Sequence, residues 1–257
     1  MLPTKALCLF ASYQHESENF IRDETLHYVK ALAPAFDEIH FVTNTRLLSN
    51  RDLFPENVSV FFTMNGTMDF GMWTRHIKDD SVDLGAYARV ALVNDSCVSM
   101  VDDLSGLMSR FGGVDAAHNR FWGITDSQFF SYHIQSYFLV LDGSGAISAF
   151  LRFMDNHALE RIKTKFDVVA ILEVNLTCYM MASGIATAAL YPWRVVNPIQ
   201  PLTTSYHCYE QLMRLGCPII KRVVIDHIKQ RRPMYRGAQI DPDGSLGFGE
   251  DKRFIVI

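Results

Sequence analysis

At 257 residues, with 49% hydrophobic and 20% charged side chains, the chain can bury a full core, and its composition is not that of a disordered segment. A net charge of -4 gives no overall basic field for nucleic acid. Cys8, Cys97, Cys178, Cys208 and Cys217 are scattered without a CxxC pair, which argues against a disulfide framework or zinc site and for reduced thiols in a cytosolic protein.

Ala6–Ser12 reads as a buried strand, and its apolar run is too short for a signal-peptide core or a membrane span. An approximate helical stripe follows over Glu18–Ala33. Ile39–Thr43 and Val58–Thr63 are predicted strands. Asn65, Gly66 and Asp69 punctuate a turn, and Asp69 can cap a helix from Phe70 to Lys78. Phe70 and Trp73 are expected in the core. Ala88–Val93 is a fourth strand, and Leu104–Phe111 a short helix ended by Gly112 and Gly113. This β-α-β-β-α-β-α order predicts a mostly parallel sheet covered by helices.

The second half is mixed. Phe121–Thr125 and His133–Leu141 read as strands joined by the polar stretch Asp126–Tyr132. Gly143-Ser144-Gly145 opens a helix reaching Met154. Leu172–Ser183 is predicted helical with Gly184 as its C-terminal cap. Ala186–Tyr191 is a strand stopped by Pro192, Ser205–Leu215 a helix ended by Gly216, and Val223–Lys229 a short amphipathic helix. From Arg231 the chain is rich in Gly, Pro and charge. No repeat or interdomain linker is visible. The expected organisation is one domain: a nucleotide-type half (1–112), a second half (113–230) and a surface tail (231–257).

The most telling residues form a turn at Asn65–Trp73 and an apolar run ending abruptly at Asn94-Asp95-Ser96. A carboxylate at the carboxyl end of a buried strand is where α/β proteins hold nucleotides and metal ions. Asp95 can serve that role or cap the turn. Gly66 permits close approach of backbone to a ligand. His133 and Gln135 alternate along a predicted strand and so share a face with Tyr137. They either line a pocket or are satisfied core polar groups. Glu173 follows the apolar run Val168–Leu172 and is expected to open a helix. It is either a partly desolvated base or a helix-start acid favoured by the dipole. Lys221 and Arg222 either clamp an anion or are solvated. No GxGxxG follows the first strand, and no P-loop, GxSxG or HExxH occurs, which argues against dinucleotide oxidoreductases and the common hydrolases.

The words N-G-x-x-D-F-G-x-W (Asn65–Trp73), L-V-N-D-S (Leu92–Ser96), F-W-G-I-T-D-S (Phe121–Ser127), H-I-Q-S-Y-F-L-V (His133–Val140) and G-x-P-x-I-K-R (Gly216–Arg222) occur in order. Together they resemble the rhamnan synthesis protein F family, and the chain is similar to the α/β GT-A glycosyltransferase fold. The resemblance implies transfer of a sugar, often L-rhamnose, from a nucleotide-sugar donor (dTDP- or GDP-linked) to a glycan or lipid-linked glycan acceptor in surface polysaccharide synthesis. It implies donor binding by Asn65, Gly66, Asp69, Asn94, Asp95, Ser96, Lys221 and Arg222, with Asp95 on a divalent cation, Mg²⁺ or Mn²⁺. It implies acceptor binding by Trp122, His133 and Gln135, with Glu173 as base of an inverting displacement and Asp126 as a second candidate. The usual partner acid of the metal motif is missing: Asn94-Asp95-Ser96 carries one carboxylate. A contrasting reading is a non-catalytic glycan- or nucleotide-binding module of a synthesis assembly. No transmembrane segment is expected. Peripheral contact at the inner face of a membrane is allowed, with Lys229–Arg232 as the candidate patch.

Overall fold

A computed structural model describes residues 3–14, 19–46, 48–64, 68–111, 118–129, 131–157, 159, 162–199 and 203–229. Its centre is an eight-stranded sheet. β1 (Ala6–Ser12) lies between β2 (Glu38–Thr43) and β4 (Arg89–Asn94), and β3 (Val58–Phe62) is the outer strand beyond β2, all parallel. The residues of β1 alternate between two buried cores: Cys8 and Phe10 pack on one face, Leu7 and Leu9 on the other. A strand buried on both faces reads as a continuous apolar run, and ALCLFAS is one. One core lies beneath α1 (Asp23–Leu32) and α3 (Ser105–Met108), which follows the short strand β5 (Cys97–Ser99). The other lies beneath α2 (Met68–Asp79), and Phe70 and Trp73 are buried there as expected.

Beyond β4 the sheet changes direction. β6 (Arg120–Ser127) pairs antiparallel with β7 (His133–Ile134) and β8 (Phe138–Asp142), and β8 pairs antiparallel with β4. The expected single strand His133–Leu141 is therefore broken at Gln135–Tyr137. Gly123 makes room for that break. A Cβ there would collide with the Ile134 side chain and lie 2.7 Å from the Phe138 carbonyl. α4 (Ser144–Asp155) then leads back over the second core.

The helix expected to open near Glu173 starts earlier. Thr164 caps it with its hydroxyl accepting from the Asp167 amide, while Asp167 accepts from the Thr164 amide. The run continues through α5 (Lys165–Asp167), a π-helical turn at Val168–Glu173 and α6 (Val174–Ala182). Glu173 is thus interior to a helical run, not at its start. Gly184 (φ 73°) and Gly216 (φ 77°) take the left-handed conformation just past helix ends, as the sequence suggested. β9 (Ala186–Tyr191) adds a parallel strand to β6. α7 (Trp193–Val196), α8 (Thr204–His207) and α9 (Tyr209–Arg214) follow. β10 (Ile219–Lys221) pairs with β5, and α10 (Arg222–Lys229) packs Val224 and Ile228 against Val98 and Tyr209. This is a GT-A-like α/β arrangement, with a mostly parallel sheet between helices. Among the described residues no helix is long and apolar enough to cross a membrane.

The turn in direction is fixed by a buried ion pair. Arg89 on β4 donates to Asp142 on β8 through Nε (2.5 Å) and Nη2 (3.2 Å), and Trp122 Nε1 on β6 donates to the same carboxylate at 2.9 Å. Asp142 is fully buried. Asp142→Ala would strand the Arg89 charge in the core. We expect a loss of about 3–5 kcal/mol in stability by chemical denaturation. A loss under about 1 kcal/mol would show that the pair does not hold the junction.

A candidate donor and acceptor cavity

The carboxyl ends of β4, β6 and β10 open onto a cavity of about 500 Å³, a size suited to a small organic ligand. The sequence supplies its walls from distant segments. β10 pairs antiparallel with β5, and this brings Lys221 beside Ser96. Lys221 Nζ donates to Ser96 Oγ (2.9 Å) and sits 4.4 Å from the centre of the Tyr137 ring. Ser96 Oγ donates to Asn94 Oδ1 (2.5 Å), and Asn94 Nδ2 donates to Asp69 Oδ2. A cation is thus linked to a carboxylate through a hydroxyl and an amide, each donating in the same direction.

Asp69 does not cap α2. The helix begins at Met68, which takes a left-handed backbone (φ 51°), and Asp69 lies in the first turn with its side chain given to Asn94. A non-glycine residue held there costs on the order of 1 kcal/mol. Burial and the nearby Asp95 charge push the Asp69 carboxyl up to about 6, with Lys221 pulling the other way.

The break between β7 and β8 turns Gln135, Ser136 and Tyr137 toward the cavity. The orientation of Gln135 is settled by chemistry: the Ser205 backbone N–H can only donate, so the atom it meets at 3.1 Å is Oε1. Thr125 Oγ1 donates to the same oxygen at 2.7 Å and so accepts from Tyr137. Burial drives the Tyr137 phenol well up, in keeping with that donor role. Across the cavity, Glu173 is largely buried. Its Oε1 accepts from Ser136 Oγ at 2.7 Å, and its Oε2 lies 3.5 Å from His133 Nε2.

Asp69, Asn94, Ser96, His133, Gln135, Glu173 and Lys221, all candidates from the sequence, therefore meet on one cavity. Four others do not. Asp95 lies off the cavity wall and accepts from Ser12 Oγ at 2.8 Å. Burial pushes its carboxyl up, and Arg222 and Arg22 hold it down. Arg222 donates to Thr25 Oγ1 at 2.7 Å on that far side. Asp126 accepts from the Trp193 amide at 2.5 Å and shapes the β6–α7 junction. Trp122, expected at the acceptor, is a core residue bonded to Asp142. Asn65, Gly66, Gly112, Gly113 and the tail fall outside the described residues, as do residues 230–232 of the basic patch.

Around Asp95 the Ser12 hydroxyl is one oxygen that a divalent cation could use, while the charges of Arg222 and Arg22 oppose one. Among the described residues no three His, Cys, Asp or Glu side chains converge on such a site. The sequence reading missed Ser127, Ser136, Ser205, Lys165 and Phe166, which also line the cavity. The capping pattern Thr164-Lys165-Phe166-Asp167 was the available signal for the last two.

Asp69 gives a pH signature. Its folded-state carboxyl titrates above its unfolded value, so the unfolded chain ionises first as pH rises from about 4 to about 6, and stability falls across that window. Asp69→Asn keeps the oxygen that accepts from Asn94 and removes the charge. We expect equal stability of the two proteins near pH 4 and a gain of about 1–3 kcal/mol for the variant above pH 7. Thermal denaturation against pH reads this, and a gap independent of pH would contradict it.

No curated protein matches the chain significantly. The profile of the rhamnan synthesis protein F family matches residues 39–238, a span that holds every cavity residue named above, so the chain belongs to the rhamnan synthesis protein F family.

Proposed function

We propose that the protein is an inverting glycosyltransferase. It moves a sugar, with L-rhamnose the first candidate, from a dTDP- or GDP-linked donor to a glycan or lipid-linked glycan acceptor. Family membership ties the chain to polysaccharide synthesis. The observation that carries the reading further is the pairing of opposite charges in one cavity, Lys221 on β10 and Glu173 on the π-helical turn.

The residues account for the chemistry. An acceptor hydroxyl attacks the anomeric carbon as the bond to the diphosphate breaks. The electron pair leaves with the nucleoside diphosphate, whose growing charge Lys221 offsets. One Lys221 N–H is spent on Ser96, and an ammonium has further donors for a phosphate oxygen. Glu173 takes the hydroxyl proton. Its Oε1 is engaged by Ser136, which makes Oε2 the basic atom. The Gln135 amide nitrogen and the Ser127 side chain supply neutral groups for sugar hydroxyls.

Release of nucleoside diphosphate from purified dTDP- and GDP-sugars tests the reading. Glu173→Gln should cut turnover by roughly 10²–10⁴ while leaving the donor-induced thermal shift intact. Lys221→Met should lose on the order of 10² in turnover and weaken that shift. Full turnover by Glu173→Gln removes the centre of the reading. A donor that binds to the wild type without release favours a binding module instead.

A further inference from the structure

His133 and Glu173 face each other in a way that fixes where a proton can be. His133 Nδ1 lies 2.8 Å from the Ser131 carbonyl, which only accepts, so Nδ1 carries a hydrogen. The other nitrogen, Nε2, therefore faces Glu173 Oε2 at 3.5 Å, and both side chains are nearly buried. Ser136 donates to Oε1, so neither carboxylate oxygen is left to bulk water as its principal partner. With a neutral ring and an ionised carboxylate, two lone pairs meet across that gap. Such an arrangement is open to one proton, which either atom can accept.

We propose that His133 is the second half of the base, a claim that rests on the transferase reading above. The acceptor hydroxyl donates to Oε2, with Nε2 beside that oxygen. As its oxygen bonds to the anomeric carbon and the diphosphate departs with the electron pair, its O–H bond breaks. The proton is received at Glu173 Oε2 and comes to rest on His133 Nε2. The product state is then an imidazolium–carboxylate ion pair, with Nδ1 still held by Ser131. A lone carboxylate would have to keep the proton itself. The pair can pass it on from Oε2 to Nε2.

The charges facing this pair come from several elements. Asp126 on β6 acts electrostatically with His133, and Asp69 on α2 with Glu173. Lys165 and Lys221 line the same cavity. The acidic neighbours favour the protonated pair and the lysines oppose it, so the pH dependence is read against variants.

Two measurements test this. In the first, ¹⁵N-histidine NMR follows Nε2 of His133 in the wild type and in Glu173→Gln, with no substrate. The geometry predicts that the hydrogen of the neutral His133 ring sits on Nδ1 in both proteins, and a ring that carries it on Nε2 overturns the proposal. In the second, His133→Gln keeps an amide able to orient Glu173 but cannot accept a proton. Turnover is expected to fall at least tenfold, with the acid limb of the pH profile moved to lower pH. Unchanged turnover and an unmoved limb make His133 a positioning residue only and overturn the proton step. A wild type that turns over no donor while the Nδ1–H tautomer holds sinks the transferase reading, and the proton step with it. The NMR arm distinguishes that from failure of the pair itself.

Discussion

The buried carboxylate of Asp142 sits where the sheet reverses, and the placement of the cavity follows from it. Arg89 comes from the last parallel strand, Asp142 from the strand that runs the other way, and Trp122 from the strand beyond. The pair costs desolvation that only good geometry repays. Its effect is to fix the register Arg89↔Asp142 and Arg120↔Asp142. With that end locked, the far ends of the same strands are fixed too. There Asn94 meets Tyr137 through its backbone N–H, and the chain departs from sheet geometry.

At the open end the charges are arranged by neutral groups. Asn94 is the pivot, because it accepts from Ser96 at one atom and donates to Asp69 at another. A carboxylate at this position could accept twice but donate nothing, and Asp69 would lose its partner. The three residues of Asn94-Asp95-Ser96 therefore have different surroundings. The first and third residues serve the cavity, and the middle residue braces β1 through Ser12. A second directional chain runs from Tyr137 through Thr125 to Gln135, which Ser205 also meets from the other side. The first chain begins at Lys221 and the second at Tyr137 beneath it, so the cation and the Gln135 amide share one scaffold.

The strands were legible because both faces of the sheet are buried and each strand reads as an apolar run bounded by polar turns. β9 and Pro192 fell where the residues indicated. The His133–Leu141 stretch misled because its alternation continues through Gln135 and Tyr137, while the break is imposed by tertiary contact with Gly123 and β4. Asp95 lies off the cavity that Asn94 lines for a related reason. Adjacent residues at a strand end point to opposite sides, and sequence alone does not say which side holds the ligand. Arg222 fell the same way beside Lys221. The Glu173 helix start was missed because the apolar run Val168–Leu172 outweighed a capping pattern at Thr164. Glu173, His133 and Lys221 were found as candidates, but their separations in sequence hid that they share one cavity.

The π-helical turn at Val168–Glu173 has a bearing on how such a site could arise and be lost. A π turn amounts to one residue more than an α turn can hold. Removing a single residue between Val168 and Leu172 would let the helix close into regular α geometry. Glu173 and α6 after it would be swung together by about 100° around the axis relative to the first turn. An insertion of one residue is thus enough to turn a carboxylate inward on an existing helix, and a deletion of one residue is enough to turn it away, with α6 repacked by the same rotation.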